Sequence, residues 1–217
     1  MAQRSSAPNG RTGRPPVTSR AEILAAARRL IDRDGWEKLT VRRLAAELGT
    51  GPTTMYHHVR DKEALLLLLL NEYASQMPRP ELPSDPRDRI VTATIAIHDA
   101  LAEWPWAAEV LTANGFVGLF AASSLWPVET VIAATVETGR TLEEAVDVFR
   151  NIWFYTVGEI LVQAHSPDRA VERDPFFTDL DPTQTPHLAA IGNDWPQLAT
   201  HPNYAAGLRA IVNGLLP

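Results

Sequence analysis

Apolar residues recur along this chain at the three-to-four-residue spacing of helices, and no segment alternates as a half-buried strand does. Ile23, Leu24, Ala27, Leu30 and Ile31 set out the first stripe. Ser19 and Glu22 before it have the S-x-x-E spacing of a capping box, in which hydroxyl and carboxylate satisfy otherwise orphan amide donors. Gly35 is the residue most easily placed in the left-handed conformation that ends a helix, so the pattern predicts a helix over 20–34. Thr40 is placed to cap a second, short helix with Val41, Leu44, Ala45 and Leu48 inward and Gly49 closing it. Pro52 suits the first turn of a third, where its missing N–H would be unpaired anyway, and Met55, Tyr56 and Val59 supply the inner face. Two short helices around Gly49-Thr50-Gly51 make a helix-turn-helix.

Asp61 caps a fourth helix, expected from Lys62 through the leucines 65–70 to Gln76, before Pro78, Pro80, Pro83 and Pro86 break the pattern. Six consecutive leucines face every side of a helix, which reads as a buried connector between domains. Helical spacing then continues over Ile90–Glu103, Trp106–Ala113, Ser123–Gly139, Leu142–Ala164 and Tyr204–Leu216. Thr141 and Glu144 form a second capping box. Ser166–Pro186, rich in proline and acid, reads as a long mobile loop. Gly207 and Gly214 would permit close approach of another helix, so the last helix is expected at a subunit interface. The fold class is therefore all-α: a flexible tail over 1–17, a helix-turn-helix domain over 18–64, and a helical domain over 65–217 whose expected part, argued below, is ligand sensing and dimerisation.

The net charge of −6 looks wrong for a DNA binder until it is divided along the chain. Residues 1–63 hold 12 Lys/Arg and 7 Asp/Glu, net +5, which leaves −11 for the remainder. That asymmetry suggests a nucleic-acid module on an acidic body. The absence of cysteine excludes disulfides, thiolate metal sites and a cysteine nucleophile, and points to a reducing cytoplasm. The first residues carry Arg4, Arg11 and Arg14 without the apolar core of a secretory signal. The strongly apolar run Ala64–Leu70 is far short of the roughly 20 residues of a membrane span, so none is expected. No G-x-S-x-G elbow, phosphate-cradling glycine loop, H-E-x-x-H or paired Glu-x-x-His occurs, which argues against an enzyme, a metal site or a cofactor.

A recognition helix projects polar side chains into the major groove while its neighbours grip phosphate. Thr53, Thr54, His57 and His58 of the third helix suit base edges, and Tyr56 and Lys62 suit phosphates. Arg42 reaches a guanine edge or a phosphate, Thr40 adds a hydroxyl or amide contact, and Arg43 is a further candidate. The adjacent His57 and His58 do not share a helix face, which disfavours a metal.

The run Leu39-Thr40-Val41-Arg42-Arg43-Leu44-Ala45, Leu48-Gly49 and Pro52 through Leu66 closely resembles the DNA-binding domain of the TetR family, over about residues 19–70. The resemblance implies phosphate contacts from Tyr56 and Lys62, groove contacts from Arg42, Thr53, Thr54, His57 and His58, and a homodimer on palindromic double-stranded operator DNA. Glu103-Trp104-Pro105-Trp106, the Gly139–Gly158 stretch and Tyr204–Leu215 are similar to the tetracycline-repressor-like subgroup, which dimerises through its last two long helices. The region Thr112–Phe120 holds no histidine of the kind that helps tetracycline repressors bind the drug's magnesium, so that inducer is not expected.

His98, Trp104, Trp106, Asn114, Phe116, Phe120, Trp126, Trp153, Tyr155 and Glu159 are the candidates for a small-molecule effector site, with Phe154, Gln163 and His165 beside them. A cavity lined this way would suit a flat or greasy ligand. The expected function is a repressor released by a hydrophobic or aromatic molecule. The alternative is a helix-turn-helix regulator without small-molecule control, an activator or one governed by a protein partner, with a filled aromatic core.

Overall fold

The computed structural model describes residues 19–114, 118, 120–166, 180–199 and 202–217. The expected tail, Phe116 and most of the Ser166–Pro186 stretch lie outside these residues. Among the described residues every regular element is a helix: α1 (Arg20–Asp34), α2 (Val41–Glu47), α3 (Pro52–His58), α4 (Lys62–Gln76), α5 (Pro86–Ala102), α6 (Pro105–Asn114), α7 (Trp126–Glu137), α8 (Leu142–His165), α9 (Pro186–Ile191), α10 (Trp195–Ala199) and α11 (Tyr204–Leu215), with short 3-10 turns between them. The chain divides into two compact units after Leu68, four residues beyond the expected boundary.

In the N-terminal unit the caps form as their spacing requires. Ser19 N–H donates to Glu22 Oε2 at 2.7 Å and Glu22 N–H to Ser19 Oγ at 3.2 Å. The bond from the Ser19 N–H, and then one from the Ser19 hydroxyl to Glu22 Oε2 at 2.9 Å, hold the Glu22 carboxyl below its ordinary pKa. Thr40 Oγ1 accepts Arg43 N–H at 3.1 Å to start α2. Gly49 ends the element at φ +63°, where a side chain would be strained. Its N–H donates to Ala46 O and that of Thr50 to Ala45 O, the paired bonds of a Schellman motif. Inward residues Ile23, Ala27, Leu30, Leu39, Leu44, Met55 and Val59 are buried. The leucine run resolves into a stripe: Leu65, Leu66, Leu69 and Leu70 are buried at i, i+4 spacing, while Leu67 and Leu68 are only partly covered.

The C-terminal unit packs α5, α7, α8 and α11 around Ile90, Val91, Val131, Ile152, Leu208 and Val212. A smaller cluster joins Ala108 of α6 to Val157 and Ile160 of α8. Buried Thr94, Thr135 and Thr156 satisfy their hydroxyls on the carbonyl one turn back, at 2.7, 2.7 and 2.8 Å. Pro86, expected to break the chain, instead opens α5 as its first residue behind the Asp85 cap, because proline has no N–H to lose there. Pro186 opens α9 in the same way, in a stretch where hydrophobic spacing predicts no element.

Gly207 has a different use from the one expected. A Cβ there would collide with the Tyr155 hydroxyl of the same chain, so the glycine lets α8 and α11 close on each other within one protomer. Gly214 faces open space. Helix propensity alone would make Gly207→Ala stabilising by about 1 kcal/mol. Overpacking predicts the opposite sign, a loss of about 1–3 kcal/mol in urea unfolding. Adding Tyr155→Phe should recover only part of it, since a ring carbon still lies 3.0 Å from the new methyl; a stabilised single variant would refute the close approach.

Candidate functional site

Only Met55 of α3 is buried, and Val59 follows it one turn later. Tyr56, expected on the inner face, is instead 50% exposed, because one residue of helix rotates it about 100° from Met55. Thr53, Thr54, His57 and His58 are exposed beside it. Thr40, Arg42, Tyr56, Arg60, Asp61 and Lys62 line an open groove at the same place.

The cations around this groove are not equivalent. Arg42 is exposed and has no hydrogen-bond or ion-pair partner among the described residues. Lys62 donates to Glu37 O at 2.8 Å with its ammonium 4.8 Å from the Trp36 ring centre, so it is held in place with donors to spare. Arg60 pairs with Asp61 at 2.7 Å. Asp61 also accepts Ala64 N–H at 2.8 Å; that bond first, then Arg60, holds its carboxyl below the ordinary carboxylate value. Arg43 is committed to the Lys38 carbonyl and to Asp34, which fixes α2 against the end of α1. Arg29 and Arg33 converge on Glu47.

The C-terminal unit contains a cavity of about 100 Å³. Trp104, Phe120 and Trp153 line it, together with Tyr73, Phe149 and aliphatic residues of α4, α5, α6 and α7. Tyr73 stacks on Trp104 with ring centres 4.0 Å apart. Trp106 meets the Tyr73 edge at 5.8 Å, and Trp126 packs on the bundle core with Arg79 5.7 Å from its ring centre. Neither is a lining residue. The wall at 121–125 is tied to α4 and its exit: Ala121 N–H donates to Asn71 Oδ1 at 2.8 Å, and Arg79 donates to Ser123 O at 2.7 Å.

His98, Tyr155 and Glu159 lie apart from the cavity lining, in a polar cluster of their own. His98 Nε2 is 2.8 Å from Glu159 and Nδ1 2.9 Å from Asp99, and the imidazole stacks on Tyr204 at 3.9 Å. The Tyr204 hydroxyl is 2.8 Å from Thr156 Oγ1, and burial holds its pKa well above the ordinary tyrosine value. Burial raises that of Tyr155 as well. His165 and Gln163 are exposed at the end of α8. The Asn114 side chain, like Phe116, lies outside the described residues. Tyr73, Leu70 and Met77 went unrecognised as cavity residues because the leucine-rich helix reads only as a connector.

Among the described residues no three His, Asp or Glu side chains gather as a metal site, and no helix is long and apolar enough to cross a membrane. A helix-turn-helix followed by an all-α unit with an apolar cavity is the architecture of a DNA-binding regulator. Residues 23–69 match the model of bacterial regulatory proteins of the tetR family. An HTH-type transcriptional regulator of Saccharopolyspora erythraea is 28% identical over 85% of this chain and 75% of its own. The HTH-type transcriptional repressor DrrR1 of Streptomyces coeruleorubidus is 28% identical over 94% and 79%. The crystal structure of the Streptomyces coelicolor TetR family protein ActR in complex with actinorhodin has the same fold, with a TM-score of 0.73 and 20% identity over 91% of this chain and 94% of that one. Residues 23–69 thus carry a DNA-binding region similar to that of the tetR family of bacterial regulatory proteins, and the whole chain has the all-α fold of solved TetR-family proteins.

The polar cluster yields a stability test. Thr156→Val keeps the side-chain shape but strips the buried Tyr204 hydroxyl of its Thr156 partner, which should cost about 1–3 kcal/mol in denaturant unfolding. A loss below about 0.3 kcal/mol would mean that the hydroxyl finds water instead.

Proposed function

We propose that the protein is a homodimeric repressor that binds palindromic operator DNA through α3 and the Arg42–Tyr56–Lys62 groove, and leaves it when a hydrophobic or aromatic effector fills the cavity of the C-terminal unit. The observation that carries the DNA reading is the coincidence of five exposed polar or aromatic side chains on α3 with an adjoining groove of cations, one of them unpaired. Hydroxyls and imidazoles on the helix suit base edges, and Arg42, Lys62 and the Tyr56 hydroxyl suit phosphate oxygens. The name of the DrrR1 relative as a repressor supports repression, and the ActR complex with actinorhodin supports a response to a ligand.

Support for the dimer comes from α8. Leu142, Val146, Phe154 and Val162 leave apolar surface exposed along that helix, Phe154 by 60% and Val162 by 65%. A second copy is the occupant that a palindrome requires, since a two-fold site needs two recognition helices about 34–36 Å apart. The effector acts by population shift, binding better to the state in which that spacing is wrong. The tethers from Asn71 and Arg79 to the cavity wall make α4, which begins at Lys62, the element that a filled cavity would move.

DNA selected from random sequence should yield a palindrome whose binding, read by fluorescence anisotropy, weakens as salt rises. Tyr56→Ala with Lys62→Ala should reduce affinity by at least about tenfold and flatten the salt slope by about one per lost phosphate contact. No selectable sequence, or equal binding by the variant, would overturn the DNA reading. Phe154→Glu with Val162→Glu should turn a sedimenting dimer into a monomer and weaken operator binding with it; an unaltered dimer would move the interface elsewhere. DNA affinity indifferent to every apolar compound would instead favour a regulator without small-molecule control.

A further inference from the structure

The groove beside α3 carries four charged side chains, Arg42, Arg60, Asp61 and Lys62, and one of them has the wrong sign for DNA. Asp61 places a carboxylate where phosphate oxygens would otherwise be welcome. Helix capping accounts for only half of it. Asp61 Oδ1 accepts Ala64 N–H at 2.8 Å at the start of α4, which Ser, Thr or Asn would do without a charge. Oδ2 instead holds Arg60 Nε at 2.7 Å. The Ala64 N–H first, and then Arg60, keep this carboxyl below the ordinary carboxylate value, so it is ionised at neutral pH.

The other two cations keep their charge unopposed. Lys62 gives a donor to the Glu37 carbonyl and lies over the Trp36 ring, both neutral partners. Arg42 has no hydrogen-bond or ion-pair partner among the described residues. Among those residues Arg60 is thus the one groove cation matched by a carboxylate. Its side chain is 85% exposed and that of Asp61 42%, so water screens the pair and a phosphate can displace the carboxylate. Arg60 is an anion-binding group that already holds an anion. Sequence-independent DNA binding comes almost wholly from cations that replace counterions on phosphates, and a carboxylate fixed among them lowers it.

Resting on the reading of this groove as the phosphate-binding part of a DNA interface, we infer that Asp61 stands in for a phosphate on Arg60 and so limits sequence-independent DNA binding. Arg60 is then a held-back phosphate contact, engaged only when DNA displaces the carboxylate. A regulator that has to leave the non-specific sites of a genome for its operator depends on such a limit, because those sites compete by their number.

The experiment is fluorescence anisotropy of the full chain and its variants on a random-sequence duplex over a range of salt. Asp61→Asn and Asp61→Ser each keep an N-cap acceptor and remove the charge. Both should bind about two- to fivefold more tightly at low salt, the value of one screened ion pair. Their salt slope should steepen by about one phosphate contact, so the gain should fade as salt rises. Glu63→Gln removes the neighbouring carboxylate, which acts on Arg60 through space only, and should give little of this gain. Unchanged affinity and slope in both Asp61 variants would overturn the inference and leave Asp61 as a cap alone. An equal gain from Glu63→Gln would overturn it too, since net charge rather than the Arg60 pair would then be responsible. No binding to any duplex by the unaltered protein and the variants alike, even at low salt, would remove the DNA reading itself.

Discussion

The Tyr204 side chain is the point at which three helices of the C-terminal unit are fastened. It opens α11, stacks on His98 of α5, lies parallel to Tyr155 of α8 with ring centres 5.4 Å apart, and shares a hydrogen bond with Thr156. One buried ring therefore supplies apolar contact in two directions and a satisfied hydroxyl in a third. The absent side chain of Gly207 is part of the same arrangement, because it makes room for the Tyr155 hydroxyl. With α5, α8 and α11 fixed relative to one another, the faces of α5 and α8 that carry Ile97, Leu101, Phe149 and Trp153 are held open as walls of the cavity.

Polar groups in this unit fall into two kinds. His98, Glu159, Tyr204 and the buried threonines are satisfied, and such groups specify geometry without offering anything to a ligand. Ser124 Oγ, Trp126 Nε1 and Arg140 Nε are buried with no hydrogen-bond partner among the described residues.

A similar division sorts the cations of the N-terminal unit. Arg29, Arg33 and Arg43 are drawn onto Glu47, Asp34 and a backbone carbonyl, where they join helices. Arg42 remains unpaired and Lys62 is steadied by Trp36 and Glu37. Net positive charge thus overstates the surface open to an anion, and it is the position of a few fixed cations beside α3 that gives the groove its character.

The helix-turn-helix was legible because everything that defines it is local. A capping serine three residues from a glutamate, a glycine in the left-handed region, a proline at a helix start and apolar residues at i, i+4 act within a turn or two of chain. Even there, Tyr56 went to the wrong face, since a seven-residue helix buries little beyond Met55 and periodicity cannot choose between neighbours. The cavity was legible only in part. Aromatic residues at helical spacing look alike whether they fill a core or line a space, and Trp104, Phe120 and Trp153 were separated from Trp106 and Trp126 only by what α4 and the 121–125 segment bring against them. The sequence determined every helix but α9 and α10, the caps, the turn and the division of charge, because those depend on near neighbours. Tertiary structure decided which tyrosine meets which glycine, which hydroxyl lacks a partner and where space remains, because those depend on helices far apart in the chain arriving at the same place.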